Sequence, residues 1–227
     1  MGNHLAGQKI RASTLNAETM TVCTSGSRPA SPSTGQQIFE TDTGLQAVWS
    51  GSAWSYLITE VGAPQVLAAP AASVTFSPPS GVNHLAIKWH ARSTSGNTSD
   101  NMQLRFNGDS ANNYDWQLLT GLNATVSTTP GLGDTKILAG TVVGGAGSAG
   151  FFADGELEIL GWSQAASGHV ATVTGKWYAC WSNTAATSQV GTFGGLYTPS
   201  GAGTSAALIP AAGSFAIGSV FSMYALG

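Results

Sequence analysis

The chain has 227 residues, and only 8% of them are charged, with eight Lys and Arg against eleven Asp and Glu for a formal net charge of −3. Soluble domains usually carry about 25% charged residues, so this surface is polar but nearly uncharged, a composition suited to packing against copies of itself or against a large assembly. The cations are scattered singly, which excludes a nucleic-acid partner that needs a basic patch, and no apolar run approaches the roughly 20 residues of a membrane helix.

Seven Trp, eight Phe and five Tyr supply a core and exclude a disordered chain. Cys23 and Cys180 lie far apart, which predicts two free thiols of a protein made in a reducing cytoplasm rather than a disulfide framework. The opening residues predict no secretory leader, and Ala6 stands where a myristoylation signal needs Ser or Thr.

Residues 1–27 read as an arm. Ser13 or Thr14 offers an N-cap and Glu18 falls near the first turn, so one turn of helix is expected, too short to stand without a partner. Residues 28–60 read as a small hairpin module. Pro29 and Pro32 hold the chain extended after Arg28. Gly35, the apolar run around Ile38, and the turn Thr41-Asp42-Thr43-Gly44 then make a first hairpin. A second hairpin runs from Trp49 through Ser-Gly-Ser-Ala to Trp54, with the indoles expected to pack across the strands. Residues 61–72, with Pro64, Pro70 and several alanines, read as a linker.

From residue 73 to 227 the pattern is strand after strand. Leu85, Ile87, Trp89 and Ala91 alternate with His84, Ala86, Lys88, His90 and Arg92, the period-two signature of a half-buried strand. Met102, Leu104 and Phe106 alternate likewise, followed by a turn at Asn107-Gly-Asp-Ser110 and then Tyr114, Trp116 and Leu118. Leu157 and Ile159 oppose Asp154, Glu156 and Glu158; Trp177, Ala179 and Trp181 oppose Lys176, Tyr178 and Cys180. A last strand covers 214–226, with a bulge at Gly218. About eight to ten strands without an intervening amphipathic helix predict an all-β fold, an antiparallel β-sandwich of jelly-roll type.

Chemistry-bearing clusters are few. Asp154, Glu156 and Glu158 share one strand face, which would suit a carboxylate pair for glycoside hydrolysis or a weak calcium site; charged side chains guarding a strand against stray pairing explain the same spacing more simply. Asn107, Asp109, Asn112, Asn113 and Asp115 have oxygens for a hard cation, but Asn and Asp also dominate turns. His84 and His90 are about 20 Å apart along their strand, so only symmetric copies meeting at an axis would bring such histidines, or His169, to one ion. The Gly- and Ala-rich run 144–150 lacks the Lys and helix of a phosphate loop and reads as a flexible connection. No nucleophile elbow, Walker loop or paired Cys motif occurs, and no cofactor is expected. The tryptophans read as core rather than as a sugar-stacking platform.

The pattern Arg28-Pro29-x-Ser-Pro32-x-x-Gly35-Gln-x-Ile38-x-x-Thr-Asp42-Thr-Gly44, followed by Trp49-x-Gly-Ser-Ala-Trp54, resembles segments of tailed-bacteriophage virion proteins. Arg105-Phe106-Asn107-Gly108-Asp109 with Tyr114 is similar to a block of phage-encoded jelly-roll proteins, and the ending from Gly218 to Leu226 resembles the close of the same group. The resemblance implies a non-enzymatic structural protein on the virion surface, a fibre, minor tail or capsid decoration component assembled in the bacterial cytoplasm. It implies attachment to capsid or tail through the N-terminal region, homotrimeric assembly, and adhesion to a host cell-surface glycan. A carbohydrate-binding module and a glycan-degrading β-sandwich enzyme are the alternatives.

Overall fold

A computed structural model of the chain describes residues 20–79, 82–162, 171–182, 188–198 and 203–226. The helical turn expected near Ser13, Thr14 and Glu18 lies outside these residues, as does His169. The chain divides into two compact units, one ending at Thr59 and the other running from Glu60 to Leu226. Strands dominate both, and no helix among the described residues is long and apolar enough to cross a membrane.

The first unit is a four-stranded sheet in the order β1 (Thr21–Cys23), β2 (Gln37–Glu40), β3 (Gln46–Trp49) and β4 (Trp54–Tyr56). The second and third pairings are the two expected hairpins. The first is parallel, Thr21 to Cys23 lying beside Ile38 to Glu40. The end of the expected arm 1–27 is therefore a strand of the module, because its backbone groups find partners on β2. Gly35 and Gly44 have φ of 84° and 70°, and their N–H groups bond Trp49 O and Glu40 O to close the turns. Ile38, Leu45 and Ala47 form a fully buried core. Trp49 and Trp54 stand opposite each other with ring centroids 5.4 Å apart.

β5 (Thr59–Glu60) marks the boundary between units. The second unit continues with β6 (Gln65–Val66), β7 (Val74–Phe76), β8 (His84–Ala91), β9 (Ser99–Phe106), β10 (Tyr114–Leu122), β11 (Thr125–Asp134), β12 (Ile137–Val143), β13 (Ala153–Leu160), β14 (Ala171–Cys180), β15 (Ser188–Tyr197), β16 (Ala206–Pro210) and β17 (Val220–Leu226). A large antiparallel sheet runs β11-β10-β15-β14-β13-β8-β17, with β6 also paired to β17; a second antiparallel sheet runs β12-β9-β16-β7. β12 packs across onto β10, β13, β14 and β15, so the two sheets form a sandwich. The expected apolar residues Leu85, Ile87, Met102, Leu104, Phe106, Leu157, Ile159, Trp177 and Ala179 on β8, β9, β13 and β14 are buried in its core, whereas Trp181, expected with Trp177 and Ala179, lies past the end of β14 and is half-buried.

The large sheet interlocks aromatic rings with glycines. A Cβ on Gly155 would lie 2.1 Å from Trp89, on Gly191 2.2 Å from Trp177, on Gly175 2.3 Å from Phe193, and on Gly131 2.2 Å from Trp116. Each ring covers the bare backbone of the adjacent strand, directly opposite in register.

Four expectations need correction. Among the described residues eleven strands, β7 to β17, follow residue 73 rather than eight to ten. Residues 61–72 are more than a linker: Val61 and Leu67 donate to Met223 and Ser219, Gln65 and Val66 pair with β17, and Ala71 pairs with Phe215, so the segment is tied to the second unit by backbone bonds. Gly218, with φ of 85°, lies in a turn before β17, not in a bulge within one strand. The run 144–150 is closely packed: a Cβ on Gly144 or Gly145 would meet backbone atoms of Asn97 or Ser95 at 2.1 and 2.7 Å. Arg92 also donates to the carbonyls of Gly145, Gly147, Ser148 and Phe151.

Candidate functional site

The strand register sets two rows of side chains across the outer face of the large sheet. One row reads Val220, His90, Asp154, Tyr178 and Val190; the next reads Ser222, Lys88, Glu156, Lys176 and Thr192. Both follow from alternation, since their neighbours in sequence point into the core. All of these but Thr192 line a groove of about 590 Å³, running over β17, β8, β13, β14 and β15.

Each acidic group here meets a basic one. His90 Nδ1 lies 2.7 Å from Asp154 Oδ1, and the imidazole stacks on Phe152 with ring centroids 4.7 Å apart. Glu156 sits between Lys176 Nζ at 2.9 Å and Lys88 Nζ at 3.7 Å. The hydrogen-bonded Lys176 ammonium, with Lys88 beyond it, holds the Glu156 carboxyl below its ordinary range against a smaller effect of burial. Lys88 also lies over the Tyr224 ring, 5.6 Å from its centroid. Tyr178 leaves 49% of its surface exposed and Val190 57%, an apolar floor beside the charged row.

The three expected carboxylates are thus brought onto one face, but Asp154 and Glu156 are spent on His90, Lys88 and Lys176. Among the described residues no cluster of three or more His, Cys, Asp and Glu is placed to hold a metal ion. His84 accepts a bond from Gly161 N at 3.3 Å, far along β8 from His90.

The Asn-Gly-Asp block is a structural knot. Asn107 and Gly108 have φ of 55° and 67°, the left-handed centre of a tight turn closed by Asp109 N donating to Phe106 O, which carries the chain from β9 in the small sheet to β10 in the large one. Asn107 Oδ1 accepts from Thr204 and Ser205, while Asp109 accepts from Ala111 N, Asn113 Nδ2 and Tyr197 OH. These bonds, Asn113 first, hold the Asp109 carboxyl below its ordinary range. The Tyr114 hydroxyl accepts from Phe106 N and reaches the carbonyl of Asp109 at 3.0 Å; burial pushes its pKa up to about 12. Phe106, Tyr114 and Tyr197 stack together, and Arg105 Nε donates to Thr135 O. All six signature residues therefore build one end of the sandwich, and the turn explanation of the cluster fits its contacts.

In the first unit, Arg28 pairs with Glu40, which is fully buried, and Arg28 Nη2 donates to Tyr56 OH at 2.6 Å. Thr43 Oγ1 and Tyr56 OH add bonds to the same carboxylate. Asp42 takes two bonds from Ser25, Oγ and N, which hold its carboxyl below the usual range. Pro29 and Pro32 are half-buried in the extended segment between Arg28 and Gly35.

Sequence reasoning missed Glu40, Tyr56, Phe152 and the paired lysines. Arg28 is the only Lys or Arg from 20 to 59, facing only Glu40 and Asp42 as acids in that stretch, and that count was the available signal for the buried pair. Lys88, Glu156 and Lys176 stood at outward positions of strands already legible; only the register could unite them. No protein-family profile, curated protein or solved structure matches this chain.

Proposed function

We propose that this chain is a bacteriophage virion surface protein, a fibre, minor tail or capsid decoration component. The N-terminal unit attaches it to capsid or tail proteins, and the sandwich serves assembly, as a homotrimer, and adhesion to a host-surface glycan. The observation that carries this reading is the organisation of the motif. Arg28, Ile38, Asp42, Gly44, Trp49 and Trp54, which carry the resemblance, build one self-contained sheet separate from the sandwich. A detachable docking element joined to a different working domain is what such a virion component needs. Many copies then convert weak single-site contacts into firm adhesion.

The strand order supports an expanded jelly roll. The small sheet β7-β16-β9-β12 and the path β8-β13-β14-β15-β10-β11 follow that plan when the hairpins β13 to β15 together occupy one strand position and β17 is added outside β8. Binding is favoured over glycan hydrolysis because both groove carboxylates are engaged by neighbours, Asp154 by His90 and Glu156 by Lys88 and Lys176, and Glu156 lacks the raised pKa of a general acid.

The test is co-sedimentation with particles of the phage that produces the protein, together with solution mass by light scattering. The full chain is expected to be a trimer that stays with particles, and a chain starting at Glu60 to remain trimeric but be lost from them. Equal retention of the shortened chain would overturn the attachment role, and a monomer in both forms would overturn the trimer.

A further inference from the structure

We propose that the outer-face groove of the large sheet is the adhesive site, and that its ligand is a neutral, polyhydroxylated glycan chain laid across the strands. This deepens the adhesive role proposed above and rests on that reading.

The groove spans five strands, which at four interstrand spacings is about 19 Å. That length suits a short run of sugar units better than a single one. Its volume of about 590 Å³ is within the range of small-ligand sites. All its polar groups stand on strands, and strand-borne groups are held more tightly than loop-borne ones. The pairs of Glu156 with Lys88 and Lys176 and the His90–Asp154 hydrogen bond give these side chains partners before any ligand arrives, which lowers the cost of ordering them on binding.

Charge balance selects the ligand class. Lys88 and Lys176 flank Glu156 while Asp154 sits against His90, so the two ammonium groups and two carboxylates that share the groove cancel in formal charge. An anionic polymer would meet two carboxylates in the floor, and a cationic one two ammonium groups. Sugar hydroxyls both donate and accept, so a neutral glycan bonds to carboxylate and ammonium alike. The half-exposed Tyr178 ring beside Val190 supplies an apolar surface for the C–H faces of pyranose rings. A polar frame around an aromatic platform fits a sugar better than it fits an apolar peptide.

The experiment displays neutral bacterial oligosaccharides on an array, with hyaluronate and polyglycerol phosphate as charged comparators, and probes it with the full-length chain. Hits are titrated by calorimetry. We expect binding to at least one neutral glycan, weakened about tenfold or more in Tyr178→Ala and in Lys176→Ala. Val126→Ser, on the same sheet outside the groove, is expected to leave it unchanged, and all three variants to melt within a few degrees of the parent. Binding of charged polymers only, binding that survives both groove substitutions, or no binding at all would overturn the proposal. So would a Tyr178→Ala variant whose sole change is a lower solution mass, since the groove would then seat a second copy of the chain. Particle co-sedimentation of the same samples separates the two ideas. Retention without glycan binding defeats this inference alone, and glycan binding without retention defeats the virion reading.

Discussion

The two units of this chain solve the same problem by opposite means. Among the described residues the N-terminal sheet has only Ile38, Leu45 and Ala47 as fully buried apolar side chains, and at its centre lies a buried carboxylate, Glu40, tied to Arg28, Thr43 and Tyr56. The sandwich relies on apolar area and on rings pressed onto glycines of neighbouring strands. A small element buries too little surface to be fixed by packing alone, so a few directional bonds define it and a single change can undo it. The large sheet spreads its stability over many contacts, and its weak points are places where two shapes must match.

The comparison can be broken most sharply at Trp177, which is 2% exposed and covers Gly191 while filling the space left by Gly140. Trp177→Ala should cost about 4 kcal/mol, read by hydrogen-exchange mass spectrometry as lost protection across β8 to β15 with residues 36–56 unaffected. Next comes Glu40→Ala, which strands a partly buried guanidinium and should cost about 3 kcal/mol. The same method should show the reverse pattern, protection lost in 21–56 and kept in the sandwich. If both changes loosen both regions equally, the units are not independent.

A smaller effect sharpens the shape-matching argument. Gly155→Ala should cost about 2 kcal/mol by forcing the Trp89 ring aside, and adding Trp89→Leu should recover part of that loss in a double-mutant cycle. Simple additivity in denaturant unfolding would refute the interlock.

The smallest expected effect concerns pH. Because the Tyr114 pKa is raised to about 12 in the folded chain, the unfolded chain ionises first as pH climbs past its ordinary value of 10. Stability from this group is fully present below that value and is lost as pH rises through the folded pKa. Tyr114→Phe should cost about 1 kcal/mol at neutral pH for its lost hydrogen bonds, and should lose stability less steeply than the parent between pH 10 and 12. Parallel curves would refute the assignment. The lowered Asp42, Asp109 and Glu156 carboxyls act at the other end of the scale, since their contribution is lost as pH falls through their folded pKa values.

Alternation made β8, β9, β13 and β14 legible, because each has one face in the core and one in solvent. β11 was not: Thr-Val-Ser-Thr-Thr-Pro-Gly-Leu-Gly-Asp is exposed along almost its whole length, and its Pro130 is tolerated because the strand is an edge. β12 and β15 were hidden for another reason, as glycines stand where inward side chains would otherwise mark the period, leaving room for Trp177 and Ile137 from other strands. Of the candidate groove, the acidic side was visible as a spacing on one strand. Its basic and aromatic partners come from β8 and β14, more than 60 residues away in one direction, and only the pairing of strands brings them together.

Residues 144–150 carry a consequence of their own. Glycine, alanine and serine in an exposed connection are what a protease accepts most readily, since cleavage requires a segment that can be drawn out and threaded through an active site. Here the carbonyls of Gly145, Gly147 and Ser148 are held by one guanidinium, and the N–H groups of Gly144, Gly145, Ala146 and Ser148 bond to Thr98, Ser95, Asn97 and Trp181. Cutting there would first require Arg92 to let go of the loop, so digestion should begin elsewhere and this segment should survive as long as the sandwich itself.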